Sequence, residues 1–281
     1  MHLAAESGSH ECCELLLHHN LDLDIQATEL HKSITPIICA IRQRNESIVK
    51  FLIQCGCSLN PRPFDTHTVL NEAIAHDLEL CTVEAILVGG ASLSAVDAHM
   101  ACPLWHAIDR GNPHVIKLLL QCNAEHAICS CCPLGQHRMY SGVLRTSVDF
   151  SCCPLVHALH SDNLEFVSWL VAAYTQDCAK TLFHAIQLVH PIDVGYHEMM
   201  DGPPWALAPD LATPLSATGW LSVMPLACRP QSLLRQCRRA VRKHLGQGHI
   251  VIKKISLLNL PPLLHNYLMF SDLEPPDEAK K

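Results

Sequence analysis

The sequence predicts an all-α protein, a solenoid of stacked helical hairpins followed by a small helical element near the C-terminal end. Three observations carry this. An apolar signature recurs at Pro36, Val69 and Pro103, steps of 33 and 34 residues. Apolar residues inside each unit are spaced as on a helix. Residues 232–245 then place Leu233, Cys237, Ala240 and Val241 on one stripe, extended by Leu245.

The elements follow in order. Met1-His2-Leu3-Ala4-Ala5-Glu6-Ser7-Gly8 reads as a hairpin without its opening turn, so the chain starts inside a repeat and stacking is expected to fray there. Thr35-Pro36-Ile37-Ile38-Cys39-Ala40-Ile41 aligns with Thr68-Val69-Leu70-Asn71-Glu72-Ala73-Ile74. Both align with Cys102-Pro103-Leu104-Trp105-His106-Ala107-Ile108 and with Cys153-Pro154-Leu155-Val156-His157-Ala158-Leu159. The second halves agree too: Ser47-Ile48-Val49-Lys50-Phe51-Leu52-Ile53 corresponds to His114-Val115-Ile116-Lys117-Leu118-Leu119-Leu120. Gly56, Gly90 and Asn123 stand where the chain must turn left-handed after the second helix. Stacking of such hairpins buries the face that no single unit can hide.

Between Pro103 and Pro154 the step lengthens to 51 residues, and the added segment, about 127–150, reads as a loop insertion. Thr181-Leu182-Phe183-His184-Ala185-Ile186 resembles a last, partial repeat, which takes the array to residues 1–188. Residues 189–228 form a proline-rich connector. The terminal helix follows, preceded by Pro230 and stopped by Gly246 and Gly248. Residues 258–270 bring a proline-marked turn and a second apolar run, and 272–281 form an acidic tail expected to be disordered. A helical element with so narrow an apolar stripe buries little by itself and is expected to complete its core with another protein.

Two resemblances attach to these residues. The period and the degraded T-P-L-H-x-A signature resemble ankyrin repeats. Ser232, Leu233, Cys237 and Val241 match the S-L-x-x-x-C-x-x-x-aliphatic pattern of an elongin-binding BC box. Leu258, Leu260, Pro261, Leu264, Tyr267 and Leu268 resemble the cullin box that follows it. The chain thus resembles the ankyrin repeat and SOCS box proteins, with residues 229–271 as the box. The resemblance implies an ankyrin-repeat α-solenoid ending in a three-helix SOCS box. It implies a non-catalytic adaptor of a cullin–RING ubiquitin ligase, whose array binds a client. Elongin B–elongin C would dock on Ser232, Leu233, Cys237, Val241 and Leu245. A cullin, usually cullin 5 with its RING partner, would meet Leu258, Leu260, Pro261, Leu264, Tyr267 and Leu268. One departure is visible: the family's L-P-L-P reads Leu258-Asn259-Leu260-Pro261. The alternative is a plain ankyrin scaffold whose terminal helices merely cap the stack.

Composition narrows the partners. A hydrophobic fraction of 49% with 17% charged residues points to extensive burial, not disorder. No apolar run approaches a membrane span, and residues 1–13 lack the pattern of a secretory signal, so no membrane is expected. The 16 cysteines are then expected to be reduced, in the cytoplasm or alternatively the nucleus. Between residues 211 and 271 there is no Asp or Glu, while Arg229, Arg235, Arg238, Arg239, Arg242, Lys243, Lys253 and Lys254 are all positive. Few aromatics interleave with them, so the expectation is a solvated outer helix face and no nucleic acid.

Reactive chemistry is sparse. His126, Cys129, Cys131, Cys132 and His137 cluster, but their thiols are adjacent or one residue apart, unlike the C-x2-C pairs of zinc sites. No metal and no cofactor are expected. Cys12-Cys13 and Cys55-Gly56-Cys57 sit at repeat positions where a small buried residue suffices. His106, His157 and His184 lie at or beside the T-P-L-H position, where the ring is expected to bond the turn backbone. No nucleophile elbow, P-loop or H-E-x-x-H motif occurs, and no catalytic residue is assigned.

Overall fold

The computed structural model describes residues 1–27, 34–60, 67–97, 101–124, 154–161, 163–173 and 233–271. The insertion, the partial repeat at 181–186, the connector, the acidic tail and the His126–His137 cluster lie outside the described residues. Among the described residues every regular element is a helix, with one isolated antiparallel bridge between Ala27 and Ile34.

Helices come in pairs. α1 (His2–Ser7) and α2 (His10–His18) form the first, α3 (Pro36–Arg42) and α4 (Glu46–Gln54) the second. α5 (Val69–Ala75) pairs with α6 (Leu80–Val88), α7 (Pro103–Asp109) with α8 (Pro113–Gln121), and α9 (Pro154–His160) with α10 (Leu164–Ala173). The first helices of successive pairs stack in one row and α4, α6 and α8 in another, so the repeats form a continuous slab. α11 (Leu233–Leu245), α12 (Ile250–Leu257) and α13 (Pro262–Leu268) make a separate three-helix box.

Sequence explains the starts and stops. Pro36, Pro103 and Pro113 open their helices, where the missing N–H costs nothing. Ser9, Thr68 and Asn112 cap helices by accepting the amides of Cys12, Asn71 and Val115. Gly56, Gly90 and Asn123 are left-handed after the second helices (φ 84°, 92° and 62°). Arg44 and Asp77 adopt the same region between the helices of a pair, as Gly111 does in the next repeat, without glycine's permission. The strain is tolerated because the next repeat grips the turn: Arg44 Nη2 donates to the Asp77 carbonyl at 2.7 Å.

The core runs unbroken through the slab, with Ile37, Ile41, Ile48, Leu52, Leu70, Ile86, Leu104, Ile116 and Leu119 all essentially solvent-free. Each Leu or Ile buried this way contributes about 1.5–3 kcal/mol. Polar side chains stitch neighbouring repeats. Asn45 Nδ2 donates to the carbonyls of Ala5 and Glu6, and the Glu46 carboxylate accepts the Glu79 amide and the Thr82 hydroxyl. The Asn45 bonds hold the first hairpin, which leaves Leu3 and Leu15 exposed. Cysteine usage divides: Cys13 and Cys57 are buried as expected, whereas Cys12 and Cys55 are exposed.

Candidate functional site

α11 has two faces, and their orientation reverses one expectation. Arg238 and Arg242 were expected on a solvated outer face, yet they are 3% and 1% exposed. The reason is a set of acceptors that residue types cannot reveal. The last turn of α8 ends in carbonyls with no partner in their own helix. Arg242 Nη2 donates to two of them, Leu120 O at 2.9 Å and Gln121 O at 2.6 Å. Its Nη1 donates to Leu268 O, at the end of α13, at 2.6 Å. Arg238 Nη1 donates to Tyr267 O at 3.0 Å. A cation at two helix C-termini also meets the negative ends of their dipoles.

Phe270 completes this inner face. Its ring lies 4.4 Å below the Arg238 guanidinium carbon and 4.5 Å below that of Arg242, and the Tyr267 ring is 4.0 Å from Arg238. Phe270 is buried in the array's own hydrophobic cluster and sits left-handed at φ 54°, an uncommon state for so bulky a residue.

The seat is reciprocal. Arg242 caps α8, and Asn123, just beyond α8, caps α11: its Nδ2 donates to Arg242 O at 3.0 Å and to Gly246 O at 2.5 Å. The Gly248 amide donates to Cys122 O at 2.9 Å, and Gln121 Nε2 to Met269 O at 2.8 Å. Asn123 is fully buried, and it stands where the two preceding repeats use Gly56 and Gly90. Burial pushes the Cys122 thiol up to about 12, although nearby Arg242 works the other way.

The opposite face of α11 is open. Cys237 and Ala240 are exposed and Val241 is 39% exposed. Ser232 and the side chain of Leu233 lie outside the described residues. Leu245 is only half-buried, packing on the small core of Val251, Ile255 and Leu268. Further along, Leu258, Pro261 and Leu264 are exposed, Pro261 capping α13, while Leu260 and Tyr267 are half-buried. Leu268 requires a correction as a partner contact: at 6% exposure it belongs to the box's own core. Leu257 and Leu263, each 84% exposed, were not singled out from sequence; their chain neighbours Leu258 and Leu264 are exposed too. The doubled leucines at 257–258 and 263–264 were the available signal.

The array's first-helix row carries the polar network. Arg42 donates to both Glu72 oxygens (3.2 and 2.9 Å), with His67 Nδ1 at 2.7 Å and His76 Nε2 at 3.4 Å from the same carboxylate. Burial would raise the Glu72 carboxyl, but Arg42, His67 and His76 outweigh it and hold it below the ordinary carboxylate range. His106 was expected to bond the turn backbone. Its Nε2 instead lies 2.7 Å from the carboxylate of Asp97, whose other oxygen holds the Ala101 amide. His157 stacks on Trp105 with centroids 4.3 Å apart and reaches Asp109 at 3.3 Å. His184 lies outside the described residues.

Among the described residues, Glu46, Glu79 and Cys81 bring metal-type ligand atoms together. The Glu46 oxygens are committed to Glu79 N and Thr82, and Lys50 Nζ lies 3.2 Å from the Cys81 sulfur, placing a cation of the protein's own there. No helix among the described residues is long and apolar enough to cross a membrane.

A repeat slab with a separately packed helical box, sealed on one face and open on the other, defines a two-ended interaction protein. Comparison with family models agrees: residues 1–97 match ankyrin repeats (3 copies) and residues 229–269 match the SOCS box. The chain belongs to the ankyrin repeat and SOCS box proteins. That pairing is the architecture of substrate adaptors of cullin–RING ubiquitin ligases, and a SOCS box implies binding of elongin B–elongin C and a cullin. No curated protein matches the chain. α7 to α10 continue the repeats beyond the matched 97 residues.

Proposed function

We propose that the chain is the substrate-recognition adaptor of a ligase of the elongin B/C–cullin 5 type, working in the cytoplasm and without catalytic chemistry of its own. The array would hold a protein client and the box would hold the ligase. One observation supports this above others: α11 spends its arginine face on the array and leaves Cys237, Ala240 and Val241 uncovered. An elongin pocket could therefore close over that face without displacing the box. Leu233 would be the anchor, with Cys237 and Val241 beside it, worth about 2 kcal/mol or more for such a centrally buried group. The exposed side chains of Leu257, Leu258, Leu263 and Leu264, with Leu260 and Pro261 in the turn between α12 and α13, would face the cullin. Catalysis would then come from proximity of client lysines to a charged ubiquitin enzyme.

The test is co-purification. Leu233→Asp with Cys237→Asp, in the full chain co-expressed with elongin B and elongin C, is expected to abolish their recovery while the array stays folded. Undiminished recovery would overturn the reading. The scaffold alternative requires the terminal helices to be covered by the stack, and the open face of α11 argues against it.

A further inference from the structure

We propose that Asn123 and Arg242 are positioning residues for ubiquitin transfer: their mutual capping locks array and box into one geometry and so sets where a held client sits relative to the ligase. This rests on the adaptor reading above and goes beyond it.

The joint is built from main-chain ends. Two helices, α8 and α11, finish at the same place, and the side chain of each terminus satisfies the carbonyls of the other. A buried carbonyl left without any donor costs roughly 1–3 kcal/mol, although Leu120 O also accepts the Asn123 amide at 3.0 Å. Arg242 also binds the end of α13 through Leu268 O, Gln121 binds Met269 O, and the Gly248 amide between α11 and α12 binds Cys122 O, so α11, the turn after it and the end of α13 all meet at the end of α8. Directional bonds of this kind fix an angle as well as a contact, which a purely apolar seam would not.

Asn123 carries the inference furthest. Its backbone need is met equally by glycine, as Gly56 and Gly90 show in the two preceding repeats. The amide side chain is therefore surplus to the repeat, and its donors are used by α11. If the box needed only tethering, flexible attachment would serve. A fixed joint confines the client to a small part of the volume a loose one would sweep, raising its effective concentration at the transfer centre.

The experiment uses the full chain with elongin B–elongin C, carrying a fluorophore pair at Glu14 in α2 and Ser256 in α12. The same preparations are assembled with cullin 5, its RING partner and the ubiquitin enzymes, and transfer is read on the chain's own lysines. The unsubstituted chain is expected to show one narrow label distance and a single dominant set of modified lysines. Asn123→Gly should fold normally, retain elongin binding, broaden the distance and lower modification at that set by roughly tenfold, with new sites appearing. Arg242→Gln should do the same, and Arg242→Lys, which keeps a cation near the same carbonyls, should restore part of both readouts. A narrow distance with an unchanged rate and pattern in Asn123→Gly overturns the inference and leaves the adaptor reading standing. Failure of the unsubstituted chain to bind elongins sinks both.

Discussion

Replacing Phe270 with alanine should unseat the box from the array. The ring is 3% exposed, lies in the core of the repeats and carries two guanidiniums on its faces. Removing a buried phenylalanine costs about 3–5 kcal/mol. The lost cation stacking adds about 0.5–2 kcal/mol. Relief of left-handed strain offsets little, because alanine is also disfavoured there. A net loss of about 4 kcal/mol corresponds to roughly 1,000-fold in an opening equilibrium. Hydrogen exchange reads this directly, since local opening is measured element by element. Amides of Val251 and Ile255 in α12 are expected to exchange up to roughly 1,000-fold faster, or to reach the unprotected limit, while Val49 in α4 stays protected. Phe270→Leu should fall between the two. A change below about threefold at both α12 amides would refute the claim that Phe270 holds the seat.

Other consequences are checkable. Burial holds the thiols of Cys57 and Cys122 up to about 12, so both should resist alkylation at pH 7.5, whereas exposed Cys237 should react in the free chain and be protected by elongin B–elongin C. Protection of Cys122 without protection of Cys237 would contradict the docking face. Glu72 has a depressed folded-state carboxyl, so its stabilisation is complete above the unfolded carboxylate range and is lost as pH falls through the folded value. Glu72→Gln should therefore cost about 1 kcal/mol near neutrality, discounted for the partly exposed Arg42, and the gap to the parent should close in acid melts. Asn259→Pro should leave the fold unchanged, because Leu258 already has the extended backbone (φ −73°, ψ 121°) that precedes proline, and should tighten a cullin pull-down. An unaltered pull-down would show that the first proline of that motif is immaterial here.

The repeat register was legible because period, opening prolines and glycine stops agree locally at Pro36, Pro103, Gly56 and Gly90. The left-handed turns at Arg44 and Asp77 were not, since neither residue type announces that conformation and the neighbouring repeat imposes it. The amphipathic stripe was read from spacing and the box from its resemblance to the BC-box and cullin-box motifs, and the spacing argument turned its arginines the wrong way. Hydrophobic patterning assigns charges to solvent. It is blind to carbonyls at the end of a helix far away in sequence, which here outweigh water for Arg238 and Arg242. Asn123 was readable as a chain reversal, but its second task depends on a helix that begins at residue 233. The histidines beside the T-P-L-H position were assigned to the backbone because neither Asp97 nor Asp109 could be placed opposite them without the fold.

The attachment at the end of α8 joins guanidiniums to peptide oxygens, neither of which changes protonation in any compartment a cell maintains. The first-helix row is held differently, by Arg42, His67 and His76 gathered on the one Glu72 carboxylate within the slab itself. The angle between slab and box is therefore set by groups that keep their charge state when the surroundings turn mildly acid, so the handle should hold its setting wherever the chain works.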